Sequence, residues 1–451
     1  MGLKMKNRIF YKQLFEIVFP IAVLNFMSAL VSASDALMLG WLNQDSLSAV
    51  SLASQIQFVQ NLFLAAITIG LTILAAQYWG KNDTESVEEV LAIALRCSIL
   101  VSFVFMLAAL IFPRQLMLIF TADEKLVSLG TEYLRTVGVS YLLTGISQTY
   151  LCVMKNSGRV TRSTVYGSTA LISNLILNAV LIFGIGGFSG FGIKGAAIAT
   201  VLARIIELFF VLMENRKKDV VRVRWEKLLH PSVDLKKDFR KYTLPVLLNE
   251  IAWGCGFTMF SVIMGHLGSD AVAANSIANI VKNLIVCVAL GIGSGSSIIV
   301  GNELGRGDKD KAREYGDRLC HIAILIGVIS GLIILVCSPL IVRFSGTLSI
   351  QAKEYLQSML FICAYYMIGK SVNCTTISGI FCAGGDTKFG FFCDLITLWA
   401  VVVPIGALAA FVWKLPILVV YFLLNLDEII KLPAVYIHYK KYHWVKNLTE
   451  R

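Results

Sequence analysis

The chain has 451 residues, of which 57% are hydrophobic and only 15% charged, with a formal net charge of +11. A soluble chain of this size carries about 25% charged residues, and so little polar surface does not cover a water-soluble body. The basic excess lies in loops between long apolar runs, which argues against a nucleic-acid surface and for a protein that crosses a membrane repeatedly.

About 20 apolar residues span a bilayer as a helix, and twelve such helices are predicted. The first, 14–40, follows a basic N-terminus (Lys4, Lys6, Arg8, Lys12) and is too long for the apolar part of a cleaved signal peptide. It contains Pro20, which removes a helical hydrogen bond and permits a kink. It also contains Asp35, within Ser32-Ala-Ser34-Asp35 near its outer end. Helices follow at 50–79, 90–112 and 128–152. The fifth, 164–186, places Asn174 and Asn178 one turn apart on one face. The sixth, 193–213, carries Thr200 and an i,i+3 pair, Arg204 and Glu207. Segment 214–241 is rich in Lys and Arg, contains Pro231 and reads as a linker. The second set runs 242–265 (with Pro245 and Glu250), 272–303 (Lys282), 319–341, 353–382 (Lys370), 389–411 (Asp394) and 416–437 (Asp427, Glu428, Lys431). Lys and Arg collect in the loops on the side of the N-terminus. The positive-inside rule therefore puts both termini in the cytoplasm of a multi-pass cell-membrane protein, with anionic-lipid contact as a secondary role of the charge.

The ten cysteines lie mostly inside helices, and neither they nor the five histidines show a CxxC pair or a metal-ligand spacing. They read as packing residues. No nucleophile–base pair stands out either. The expectation is a protein that is not an enzyme, needs no cofactor and is monomeric.

The halves repeat. Pro20 falls on Pro245, Gly40-Trp-Leu42 on Gly265-His-Leu267, Gly70 on Gly295, and Gly80-Lys-Asn-Asp83 on Gly305-Arg-Gly-Asp308. One residue more of shift carries Pro113 onto Pro339. A nearly constant shift over so long a stretch indicates duplication. Each half has an even number of helices, so the repeats are parallel. The expected fold is all-α: twelve transmembrane helices in two six-helix lobes, 1–213 and 242–451 with its tail, related by a pseudo-two-fold axis along the membrane normal. Bundles built this way can rock about a cavity, and Pro20 and Pro245, at equivalent places, read as bending points. The buried chemistry is not repeated, because Asp35 maps onto Phe260 and Glu250 onto Asn25.

A charge at bilayer depth needs a partner, water or a neutral form. Asp35 has no basic residue of the first half placed at similar depth, whereas Asn178 and Thr200 should lie near it. Asp35, Asn174, Asn178 and Thr200 together offer oxygen ligands for a hard cation such as Na⁺, or a site for a protonated carboxyl. The other reading of the two asparagines is hydrogen-bonded packing between helices. Glu250, Lys282, Lys370, Asp394, Asp427 and Glu428 read as one neutralised network in the second half, structural or functional, with Asp427 and Lys431 spaced i,i+4. Trp253, Tyr141 and Tyr150 read as cavity walls for flat cations or as packing.

Taken in order, these fragments resemble the multidrug and toxic compound extrusion (MATE) family, in its DinF-like branch. They are Ser34-Asp35-Ala-Leu-Met-Leu-Gly40, Ala75-Ala-Gln-Tyr-Trp-Gly80, Asn174-x-x-x-Asn178 with Gly195-Ala-Ala-Ile-Ala-Thr200, Ile299-Val-Gly-Asn-Glu-Leu-Gly305, and Gly384-Gly-Asp-Thr-Lys388 with Asp394-Leu-Ile-Thr-Leu-Trp399. The resemblance implies a V-shaped pair of six-helix lobes and export of lipophilic, often cationic compounds in exchange for H⁺ or Na⁺. It also implies coupling roles for Asp35, Asn174 and Thr200. The second helix-5 position is commonly Asp in the family but is Asn178 here, which leaves one carboxylate and suits proton exchange somewhat better than Na⁺. The helix-7 acid looks like Glu250. The alternative is a flippase for a lipid-linked sugar or oligosaccharide, whose pore would carry several basic residues.

Overall fold

The computed structural model describes residues 2–184, 190–217, 219–345 and 348–450, and among these there is no β-strand. In chain order the long helices are α1 (Gly2–Leu42), α2 (Gln44–Gly80), α3 (Thr84–Ile111), α4 (Glu124–Asn156), α5 (Val160–Phe183) and α6 (Ile193–Asn215). Next come α7 (Val233–Gly265), α8 (Ser269–Gly305), α9 (Lys309–Phe344) and α10 (Ile350–Asn373, prolonged by a π-helical stretch, Cys374–Phe381). Helix α11 (Thr387–Val412) contains two π-helical stretches, and α12 is two segments, Ile417–Leu424 and Asp427–Lys440. All twelve expected helices are present, although the last two residues expected of the fifth lie outside the described residues. Ten are long and apolar enough to cross a membrane. The other two are α10 and the interrupted α12. Large apolar side chains such as Leu100, Val104, Phe209, Leu332 and Val336 point outward, the surface a lipid-facing bundle needs.

The repeat is visible in local geometry. Asp83 caps α3, its carboxylate accepting the Ser86 N–H at 3.0 Å, and Asp308 caps α9 by accepting the Lys311 N–H at 3.0 Å. The residue before each cap is left-handed: Asn82 at φ 63° and Gly307 at φ 82°. The prolines diverge. Pro113 opens a short helix, Pro113–Leu118, after α3 has ended, whereas Pro339 lies inside the unbroken α9.

Two compact units form, each drawn mostly from one half, with short exchanges. One comprises Met27–Ala75 and Asn82–Thr243; the other comprises Met1–Phe26, Ala76–Lys81 and Leu244–Arg451. Close helix contacts at glycine explain the exchanges. In the first unit a Cβ on Gly70 of α2 would meet the Thr243 hydroxyl of α7 at 2.0 Å. In the second, a Cβ on the equivalent Gly295 of α8 would meet Val18 of α1 at 2.6 Å. The start of α7 thus packs with the first half and the start of α1 with the second. The first unit also holds the linker in place. The Tyr150 hydroxyl donates to the Val221 carbonyl at 3.0 Å, and Arg224 pairs with the buried Glu88 at 2.7 Å.

Candidate functional site

The first unit encloses a cavity of about 410 Å³ between α1, α2, α4, α5 and α6. Asp35, Asn174, Asn178 and Thr200 all line it. The i,i+4 spacing puts both asparagines on the inner face of α5, where they are 8% and 2% exposed. An apolar core that includes Leu39, Val50, Leu134 and Ile182 adjoins the site, and Leu39, Val50 and Ile182 also line the cavity.

One directed hydrogen-bond chain links the four. The Thr200 hydroxyl donates back to the Ala196 carbonyl at 3.0 Å, which leaves its oxygen to accept Asn174 Nδ2 at 3.4 Å. Asn178 Nδ2 donates to Asn174 Oδ1 at 3.4 Å and to Asp35 Oδ1 at 2.7 Å. The chain therefore ends on a carboxylate that, among the described residues, receives a single neutral hydrogen bond. Asn178 Oδ1 is buried with no hydrogen-bond partner among the described residues. An unneutralised carboxylate beside an orphaned amide oxygen is an arrangement that a proton or a small cation completes.

Sequence reasoning missed a basic neighbour. Arg204 lines the same cavity, one turn beyond Thr200 on α6. Its charge is already engaged: Arg204 pairs with Glu207 at 2.5 Å, and Gln148 donates to the other Glu207 oxygen at 3.0 Å. Tyr133, Gln55 and Gln57 were also missed as lining residues. The i,i+4 relation of Thr200 to Arg204 was the available signal for the arginine; nothing local marked Tyr133. Tyr141 and Tyr150 do not line this cavity; each is 1% exposed, in packed surroundings.

In the second unit, part of the expected network is joined. Glu428 pairs with Lys370 at 3.0 Å and with Lys431 at 3.1 Å, and Lys431 also pairs with Asp394 at 2.7 Å. Asn373 donates to Glu428 at 2.7 Å and Asn249 to Asp394 at 3.0 Å. The i,i+4 pairing of Asp427 with Lys431 is not formed. Asp427 opens the second segment of α12, and Lys431 is drawn instead across to α11 and to Glu428. Asp427 Oδ1 is buried without a hydrogen-bond partner among the described residues. Glu250 makes no side-chain hydrogen bond or ion pair among the described residues, and Lys282 reaches Asn425 Oδ1 and the face of Tyr366 without forming an ion pair among them. Pro20 and Pro245 lie within unbroken helices, α1 and α7.

The MatE family model matches residues 20–180 and again 245–432. The uncharacterized transporter YisQ of Bacillus subtilis (strain 168) is 21% identical over 399 residues, covering 88% of this chain and 86% of that protein. The probable multidrug resistance protein NorM of Thermotoga maritima is 23% identical, covering 88% and 84%. Among solved structures, a MOP-superfamily transporter from Pyrococcus furiosus superimposes with a TM-score of 0.87 at 18% identity, over 95% of each chain. That likeness establishes the fold.

Proposed function

The chain belongs to the MatE family, and from that premise we propose that it is a secondary active efflux transporter, exchanging lipophilic, often cationic compounds for H⁺ or Na⁺ by alternating access. Both termini are placed in the cytoplasm and the substrates are small molecules. The observation that carries the reading is the Asp35 carboxylate, held by Asn178 at 2.7 Å in a cavity of about 410 Å³.

The carboxylate binds the coupling ion. Protonation, or a Na⁺ held by Asp35, Asn178 Oδ1, Asn174 and Thr200, removes an uncompensated charge from low dielectric. Helix α1 transmits the change. Pro20 has no N–H for the Glu16 carbonyl, so α1 bends there at low cost, and the proline-bearing α7 has the same freedom at Pro245. The ion shifts the equilibrium only by its differential affinity for the two states. A flippase for lipid-linked sugars would present several free basic groups to a diphosphate; in this cavity Arg204 is the basic lining residue, and Glu207 occupies it.

The test is exchange in reconstituted vesicles with Na⁺ and pH gradients imposed separately. Asp35→Asn should abolish exchange under either gradient while leaving the protein folded. Undiminished exchange by Asp35→Asn would refute the mechanism.

A further inference from the structure

The second unit contains a small cavity whose wall includes Phe257, Phe260, Asn279, Lys282, Tyr421 and Asn425. The shift that carries Pro20 onto Pro245 also carries Ser32, Asp35, Ser54 and Gln57 onto Phe257, Phe260, Asn279 and Lys282. Tyr421 and Asn425 come from α12, which corresponds in helix order to α6. All four of those first-half residues line the Asp35 cavity. The small cavity is thus the duplicated counterpart of the larger one, with its polarity reversed: the carboxylate position holds a phenyl ring, and an amide position holds an ammonium.

Three features show that the reversed site is built to receive something. First, Lys282 has spare donors. Its Nζ reaches Asn425 Oδ1 at a long 3.4 Å and stands 4.8 Å from the centroid of the Tyr366 ring. Unlike Arg204, Lys370 and Lys431, it forms no ion pair among the described residues; Asp427, two residues past Asn425, does not reach it. Second, α12 breaks at Asn425 and Leu426, beside the cavity, whereas its counterpart α6 runs unbroken from Ile193 to Asn215. Irregular backbone at membrane depth is tolerated where it lines a binding cavity. Third, the size is selective. A volume of about 20 Å³ holds one water-sized group, so only the end of a ligand enters, and Phe257, Phe260 and Tyr421 give the cavity wall aromatic surface.

We propose that this cavity is a carboxylate subsite, in which Lys282 takes the carboxylate of an aromatic acid and Phe257 and Phe260 take its ring. The subsite belongs to the second unit alone and stands whether or not the efflux reading holds, because binding needs no gradient.

The experiment is calorimetric titration of the purified full chain in nanodiscs with benzoate, benzyl alcohol and chloride as separate probes. Benzoate should bind, benzyl alcohol should not, Lys282→Gln should weaken benzoate at least tenfold, and Lys282→Arg and Asp35→Asn should retain it. Phe260→Asp, which sets a carboxylate in the cavity wall, should abolish binding and provides a second variant if Lys282→Gln does not fold. Absence of benzoate binding, equal binding by Lys282→Gln, or Lys282-dependent binding of chloride without any preference for benzoate would each overturn the assignment.

Discussion

Asn178 shows how much one atom decides. As an amide it donates to Asp35 at 2.7 Å and leaves its own oxygen buried and unpaired among the described residues. As an aspartate it would add a second carboxylate to the same cavity. Two like charges so close do not both remain ionised without a cation between them. Asn178→Asp should therefore raise Na⁺-driven exchange relative to pH-driven exchange, measured with each gradient alone in vesicles. An unchanged ratio would mean that the amide has no part in ion choice. The Arg204–Glu207 pair frames this site by keeping a guanidinium beside the cavity without delivering its charge to Asp35.

At the scale of elements, α12 differs most from its counterpart. Its break frees Asn425 to meet Lys282 and starts a new segment whose Glu428 is 1% exposed and accepts from two lysines. Replacing one partner of a buried ion pair leaves an uncompensated charge, at a cost of about 3–5 kcal/mol. Glu428→Gln should accordingly lower the melting temperature in detergent markedly, and more than Glu250→Gln, because Glu250 makes no direct ion pair among the described residues. Equal shifts for the two variants would mean that the Glu428 cluster is not a stabilising unit.

At the scale of the whole molecule, the duplication is used reciprocally. A Cβ on Gly80 would fall 2.1 Å from the Asn302 carbonyl oxygen, and a Cβ on Gly305 would fall 1.9 Å from that of Gln77. These are equivalent pairs, so the ends of α2 and α8 approach each other through the same contact twice. The tail closes over this point: Gln77, fully buried, donates to the Ala383 carbonyl at 2.7 Å and accepts the Leu448 N–H at 2.6 Å. Since the obstacle is backbone, Gly305→Ala cannot be absorbed by a rotamer change. It should destabilise the protein by about 1–3 kcal/mol, read as a lower melting temperature. A neutral result would show that these helix ends separate freely.

The sequence by itself determined the helix count, the repeat and the four residues that meet at the Asp35 cavity. Each follows from a local rule: an apolar run must span the bilayer, equal spacing marks duplication, and residues one turn apart share a face. Tertiary structure decided the rest. It selected Glu428 and Asp394, not Asp427, as the partners of Lys431, placed Arg204 on the Asp35 cavity and left Lys282 without an ion pair among the described residues. It also broke α12 beside Asn425. Those outcomes depend on which helix faces which, a non-local competition among packing contacts and buried charges that one-dimensional spacing does not encode.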